Sequence, residues 1–269
     1  MIAPTLSGFS RVLVLKSDRV TAAWIAGVAQ AVWPGVEITT VGRVAQAAAL
    51  LAAAEHDLLI TGLGMIDGDT CGLVREFVQT PQRPRRILAV TGRSDPRSLM
   101  LVKALPFDGA FDSEREELDR LATALRAVAG GEKYFSEKFL CFPWDGPARA
   151  RDVFRLLTDA EVLILAVLGE GCDRKTAALR LELSLHTIHS ACRELHRKLG
   201  VHHDRELMCV AEESGLVRKG PGGIERPGFE LLVERYEAAQ KVKRPRPAFV
   251  AALCARSVAI RRAGDTPVL

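Results

Sequence analysis

The sequence predicts two folds in series: an α/β doubly wound five-stranded parallel sheet over residues 1–131, then an all-α domain over residues 157–217. Three observations carry this. In the first half, short β-branched or apolar runs alternate with segments of helical period, the signature of parallel strands joined by crossover helices. Periodicity then lapses over 132–156, where Pro143, Gly146 and Pro147 interrupt a charged stretch, as in a linker. Beyond it, apolar residues recur at helical spacing only.

The predicted strands are 11–15, 36–40, 57–62, 86–91 and 108–111, and the helices that follow them are 20–32, 43–54, 70–79, 96–104 and 114–129. Asp69 and Asp95 stand at N-cap positions, Pro96 opens its helix, and Gly130 and Gly131 close the last one. Function in such a sheet gathers at the carboxyl ends of the strands. In the second half, helices are expected at 158–169, 173–181, 186–199 and 204–214. From Arg218 the chain turns basic, and residues 218–269 form a C-terminal extension. There "RKGPGGIERPG" reads as a hinge, with helices expected at 229–241 and, after "KRPRP", at 248–263. Phe249, Val250, Leu253 and Cys254 are expected to pack rather than hang free, while "KVKRPRP" has the charge to touch phosphates.

Composition narrows the function classes. Hydrophobic residues make up 48% and charged residues 26% of 269, which is globular and large enough for two cores. The longest charge-free apolar stretch, 20–36, contains Gly27, Gln30 and Pro34, so no membrane span is expected. The start lacks a basic leader with an apolar block, and a cytoplasmic location is expected. Cysteines 71, 141, 172, 192, 209 and 254 are scattered without a C-x-x-C pair, which suits free thiols in a reducing compartment. Net charge is +4 but uneven: residues 1–136 balance 15 basic against 15 acidic groups, 137–217 carry 11 against 13, and 218–269 carry 11 against 5. Any nucleic-acid footprint must therefore be local to one face or borrowed from the tail.

The loop "GLGMIDG" after the third strand is a candidate phosphate cradle, but its third glycine falls one residue late. It also follows the wrong strand for a dinucleotide fingerprint. "GEGCDRKT" at 169–176 has Arg174 where a phosphate-binding loop needs glycine, and it follows a helix. Neither nucleotide site nor cofactor is expected.

The five-stranded half resembles the receiver domain of two-component response regulators. That resemblance implies a magnesium-holding acid pair after strand one, a phosphoacceptor aspartate after strand three, a hydroxyl after strand four and a lysine after strand five. Here Lys16 and Ser17 replace the acids, Gly62 the acceptor and Ser113 the lysine; Thr91 retains the hydroxyl. Magnesium needs hard anionic oxygens, which an ammonium does not supply, and glycine accepts no phosphoryl group. Asp67 and Asp69 are the nearest substitutes, with capping the plainer role for Asp69, and Asp18 is placed to compensate Lys16. The domain thus reads as a degenerate receiver, with no enzyme activity expected.

Residues 157–201 resemble the LuxR-type helix-turn-helix of NarL/FixJ response regulators, through Leu157, Thr158, Glu161, Gly171, Lys175, Ala178, Leu181, Ser184, Thr187, Ile188, Leu195, Lys198, Leu199 and Val201. The resemblance implies a positioning helix at 173–181 and a reading helix at 186–199, with "ELSL" as the turn. Thr187 would bond a phosphate at the helix N-terminus. His189, Ser190 and Arg193 would face base edges, with Arg193 suited to guanine. Lys175, Arg197 and Lys198 would hold the backbone. The family usually has Lys at position 189, His at 191, and Asn-Lys-Glu-Ile-Ala where this chain reads Arg-Lys-Thr-Ala-Ala. His186, His189, Cys192 and His196 share a face at metal-ligand spacing, but solvent- or phosphate-facing histidines are the plainer account and no metal is assigned. By the same resemblance the last helix, with Leu207, Met208 and Ala211 as its apolar stripe, supports a homodimer on paired half-sites.

The expected function is phosphorylation-independent transcription regulation on double-stranded DNA, with a regulatory protein or small ligand acting at the receiver-like domain. The competing reading is a protein-interaction module that captures a signalling or transcription partner through that domain without binding DNA.

Overall fold

The computed structural model describes residues 9–241 apart from 66, 69, 94, 118, 142–147 and 221–222. The chain divides into two compact units between Asp145 and Gly146.

In the first unit, β1 (Arg11–Leu15), β2 (Glu37–Val41), β3 (Leu58–Thr61), β4 (Arg86–Val90), β5 (Gly109–Phe111) and β6 (Tyr134–Phe135) form one sheet. Its order is β2-β1-β3-β4-β5-β6 and every pairing is parallel. Helices α1 (Arg19–Val32), α2 (Val44–Ala53), α3 (Thr70–Val78), α4 (Pro96–Ala104) and α5 (Asp119–Ala129) connect the strands, as the alternating pattern predicts. The strands read as unbroken apolar runs because both faces are covered: Val12, Leu13, Val14, Leu15, Leu58, Leu59, Ile60, Leu88 and Val90 are all buried. At the amino-terminal edge, Asp57 accepts from the Ser10 amide and hydroxyl, the Arg11 amide and the Arg85 guanidinium, which ties the starts of β1 and β3. Asp18 caps α1, and Asp95 with Pro96 starts α4.

The sheet has six strands rather than the five expected. The stretch 132–156 contains β6 and the short helix α6 (Glu137–Cys141), and ends in α7 (Ala148–Leu156) of the second unit. Tyr134 and Phe135 pair with Gly109 and Ala110. A Cβ on Gly109 would lie 2.6 Å from the Tyr134 carbonyl oxygen and 2.9 Å from Leu88 Cδ1, so this close approach requires glycine. Lys138 seals the addition: its ammonium meets Asp112 Oδ1 at 2.6 Å with both side chains buried, and donates to the Thr91 carbonyl at 3.3 Å. The Ser136 hydroxyl accepts from the Asp112 amide and donates to the Ala110 carbonyl.

The second unit continues from α7 through α8 (Asp159–Gly169), α9 (Arg174–Arg180), α10 (Leu185–Leu199) and α11 (Asp204–Glu213). It ends in the antiparallel pair β7 (Arg218–Gly220) and β8 (Gly223–Glu225), followed by α12 (Phe229–Lys241). Helix α8 is apolar all round and buried from Val162 to Gly169, the pattern of a central helix, and α9, α10, α11 and α12 pack on it. A Cβ on Gly169 would lie 2.5 Å from Ala211 Cβ, which sets how closely α8 and α11 approach. The stretch read as a hinge is this β7–β8 pair, and α12 adds Phe229, Leu232 and Val233 to the core of the unit. The described part of the extension is therefore packed on the unit through Phe229, Leu232, Val233 and Tyr236. The helix expected at 248–263, its apolar residues and most of "KVKRPRP" lie outside the described residues.

Gly109→Ala is expected to lower stability by about 1–3 kcal/mol, because the added methyl meets backbone rather than a flexible side chain. Gly27→Ala, in exposed mid-helix with nothing within 4 Å, is expected to stabilise by up to about 1 kcal/mol. Urea unfolding of the full chain measures both.

Candidate nucleic-acid interface and carboxyl-edge pocket

Helices α9 and α10 are built as a capped pair. The Asp173 carboxylate accepts from the Thr176 amide at 2.7 Å and starts α9. The turn passes through Glu182, a non-glycine residue at φ +52°, a conformation that costs roughly 1–2 kcal/mol. Ser184 then caps α10, accepting from the Thr187 amide at 3.0 Å. One face of α10 buries Ile188, Cys192, Leu195 and Leu199. The opposite face exposes His186, His189, Arg193 and Arg197, at the three- and four-residue steps that keep side chains on one side of a helix. Ser190, half-buried, borders this face and accepts from Arg193 Nη2 at 3.3 Å.

The expected contact residues divide by what their side chains already do. Lys175 and Arg193 are exposed and form no ion pair among the described residues. Arg197 shares its charge with Glu194 at 2.8 Å on an open surface. The Thr187 hydroxyl lies 2.8 Å from that of Ser184, at the exposed tip of α10. Lys198 departs from the expectation: its ammonium reaches inward to both carboxylate oxygens of Glu161, at 2.8 and 2.7 Å, and is half-buried there. Glu161 also accepts from the Thr158 amide and hydroxyl, completing the capping box of α8. Burial opposes its charge, yet the bonds from Lys198 and Thr158 outweigh burial and hold its carboxyl below the ordinary range. Lys198 is thus a tie between α8 and α10.

Two residues that sequence reasoning passed over organise the same surface. Arg174, first residue of α9, donates through Nε and Nη2 to the two oxygens of Asp204, first residue of α11, at 2.8 and 2.7 Å. Its Nη1 lies 3.0 Å from His189 Nδ1. The Arg174 hydrogen bonds, chiefly, hold the Asp204 carboxyl below the usual carboxylate range. His196 Nε2 lies 3.1 Å from Asp204 Oδ1 without a hydrogen bond to it. The only trace of this clamp in the sequence is the unusual Arg opening the positioning helix. Among the described residues, no cluster of three or more His, Cys, Asp or Glu side chains could hold a metal ion. Burial pushes the Cys192 and Cys172 thiols up, which keeps them protonated and unreactive. On α11, Leu207 and Ala211 are spent in the unit's own core, while Arg205, Cys209 and Glu212 face outward.

In the first unit the carboxyl ends of the strands bring Lys16 and Gly62 together. Lys16 Nζ donates to the Val90 carbonyl at 3.1 Å, and a Cβ on Gly62 would lie 3.4 Å from that ammonium. A lysine directly after β1 thus passes beside Gly62, directly after β3, where glycine offers no side chain, and reaches the last residue of β4. Ser17 is exposed, and the Thr91 hydroxyl accepts from the Arg93 amide at 3.2 Å. Ser113 lies against Gly92 rather than Gly62, its Oγ 3.5 Å from a Cβ built there. An ammonium does reach the Thr91 carbonyl, but it is that of Lys138, from the stretch read as a linker. Asp18 is occupied by the N-terminus of α1 and Asp67 by the Val44 amide; Asp69 lies outside the described residues. Beside Lys16 an open cleft of about 570 Å³ is lined by Ser17, Arg19, Thr40, Arg43 and Gln46.

Comparison with known proteins places the second unit. Residues 155–211 match the family described as bacterial regulatory proteins, luxR family. These residues form a LuxR-type helix-turn-helix domain. The DNA-binding transcriptional activator DevR/DosR of Mycobacterium tuberculosis is 27% identical over 187 residues, 68% of this chain and 83% of that protein. RcsB of Salmonella enterica serovar Typhimurium, solved bound to promoter rprA in the presence of phosphomimetic BeF3-, is 22% identical and shares the fold. The match covers 75% of this chain and 98% of that one at a TM-score of 0.51. The resemblance to NarL/FixJ response regulators, read from the motif residues, is borne out. Among the described residues no helix is long and apolar enough to cross a membrane.

Lys198→Ala strands the Glu161 carboxylate and is expected to cost about 1–3 kcal/mol of unfolding free energy at neutral pH. A carboxyl lowered in the folded state stabilises fully above its unfolded pKa and loses that contribution as pH falls through the folded one. The difference between wild type and variant should therefore shrink on acidification, as measured by urea unfolding across pH.

Proposed function

We propose that this chain regulates transcription by binding double-stranded DNA through α10, as a dimer on paired half-sites, without phosphorylation of its receiver-like unit. The observation that carries the reading is α10 itself. Four buried apolar residues and a serine cap fix the helix, and within a LuxR-type domain it turns His189, Arg193 and Arg197 outward, with half-buried Ser190 at the border of that face. The relative DevR/DosR is named a DNA-binding activator. Arg193 takes the base-reading role, while Thr187, Lys175 and Arg197 take phosphates. With Lys198 withdrawn to Glu161 and Arg197 shared with Glu194, few counterions are displaced per protomer, and the salt slope is shallow. A dimer contact on α11 falls on Arg205, Cys209 and Glu212, with half-buried Met208, since Leu207, Val210 and Ala211 are buried in the unit's own core.

Phosphorylation independence rests on two groups. Gly62 carries no atom that accepts a phosphoryl group, and the Lys16 ammonium stands where a carboxylate pair would bind magnesium. Input to this unit comes instead from a partner protein or a small ligand. The cleft lined by Lys16, Arg19 and Arg43 suits an anionic one.

Duplex selection followed by affinity measurement against salt tests the reading. Arg193→Ala should lose about 1–3 kcal/mol of discrimination with little change in salt slope. Lys175→Ala should weaken all duplexes evenly and reduce the slope by about one. Affinity that does not vary with salt would overturn DNA binding and favour protein capture.

A further inference from the structure

Arg174 donates through two nitrogens to Asp204 and offers the third to His189 Nδ1 at 3.0 Å. A guanidinium has five N–H groups and no lone pair to offer. The ring nitrogen facing it must therefore be the acceptor. A neutral imidazole that accepts at Nδ1 carries its proton on Nε2. Nε2 lies across the ring from Nδ1, and His189 belongs to the exposed face of α10.

We propose that the Arg174–Asp204 clamp is a specificity-determining device that locks His189 as a neutral, Nε2-protonated donor on the reading helix. The three residues come from three helices: Arg174 opens α9, His189 lies in the second turn of α10, and Asp204 opens α11. Asp204 holds the guanidinium plane through a two-point contact, which fixes direction as well as charge. His189 then reads an acceptor on a base edge, namely guanine O6 or N7, adenine N7 or thymine O4, and disfavours the cytosine amine. A mobile point charge at this position would favour any phosphate or acceptor in reach; a ring held in one tautomer favours one pattern. This inference rests on the reading of α10 as the base-contacting helix.

Two measurements on the full-length protein test it. In the absence of DNA, long-range nitrogen-15 spectra of the histidine rings report which nitrogen carries the proton. Wild type should show His189 protonated at Nε2 alone, and Arg174→Ala should show a mixture of tautomers. Asp204→Asn, which loosens the guanidinium without removing it, should move the ring in the same direction and serves if Arg174→Ala does not fold. A His189 ring protonated at Nδ1, or one unchanged by both variants, would overturn the proposal.

In duplex selection, His189→Ala and Arg174→Ala should relax preference at the same base pair, each by about 2- to 10-fold, the worth of one hydrogen bond. Their salt slopes should match wild type. A uniform loss of affinity for all duplexes, with the slope reduced by about one for Arg174→Ala, would assign Arg174 to a phosphate and sink the clamp. If wild type binds no duplex, the underlying reading fails and the base preference falls with it, whereas the ring spectra still decide the tautomer.

Discussion

Lys16 directly follows a buried strand, and its ammonium lies at the rim of the sheet among oxygen acceptors. It finds one in the Val90 carbonyl, across a gap kept open by Gly62. An ammonium thus stands at the carboxyl edge of the sheet, and Arg19 and Arg43 line the same cleft. The acids nearby are consumed locally, Asp18 by the start of α1 and Asp67 by the Val44 amide. Lys138 brings a second ammonium to the Thr91 carbonyl, but Asp112 neutralises it, and the buried pair serves to hold β6 on the sheet.

The second unit spends its charges in a related way. Glu161 draws Lys198 inward to join α8 and α10, and Asp204 draws Arg174 to join α9 and α11. These ties fix the two helices of the motif on a core centred on α8. They also draw the Lys198 and Arg174 cations into pairs with Glu161 and Asp204.

The parallel sheet and the helix-turn-helix were legible because their signals are long and periodic. The strand at 11–15 and the helices at 96–104 and 229–241 stand where the pattern put them. What failed to register was short or flanked by misleading residues. Two residues of β6 hold no period, and its one trace, Gly109, has an obvious meaning only once Tyr134 is seen against it. Helix α7 lies just beyond Gly146 and Pro147, where breakers outweigh a weak helical signal. The β7–β8 pair lacks alternating apolar residues, so its glycines read as a hinge. Among site residues, exposure on α10 could be read from spacing. The inward turn of Lys198 and the Arg174 clamp could not, because their partners lie 37 and 30 residues away in sequence.

The central claim, that the receiver-like unit has no phosphoacceptor, is tested most directly with a small-molecule phosphodonor. The full-length protein is incubated with acetyl phosphate and magnesium, its intact mass is read, and its duplex affinity is compared before and after. Unchanged mass and unchanged affinity are the expected result. Incorporated phosphate, mapped to an aspartate of the sheet's carboxyl edge and accompanied by tighter DNA binding, would contradict the account.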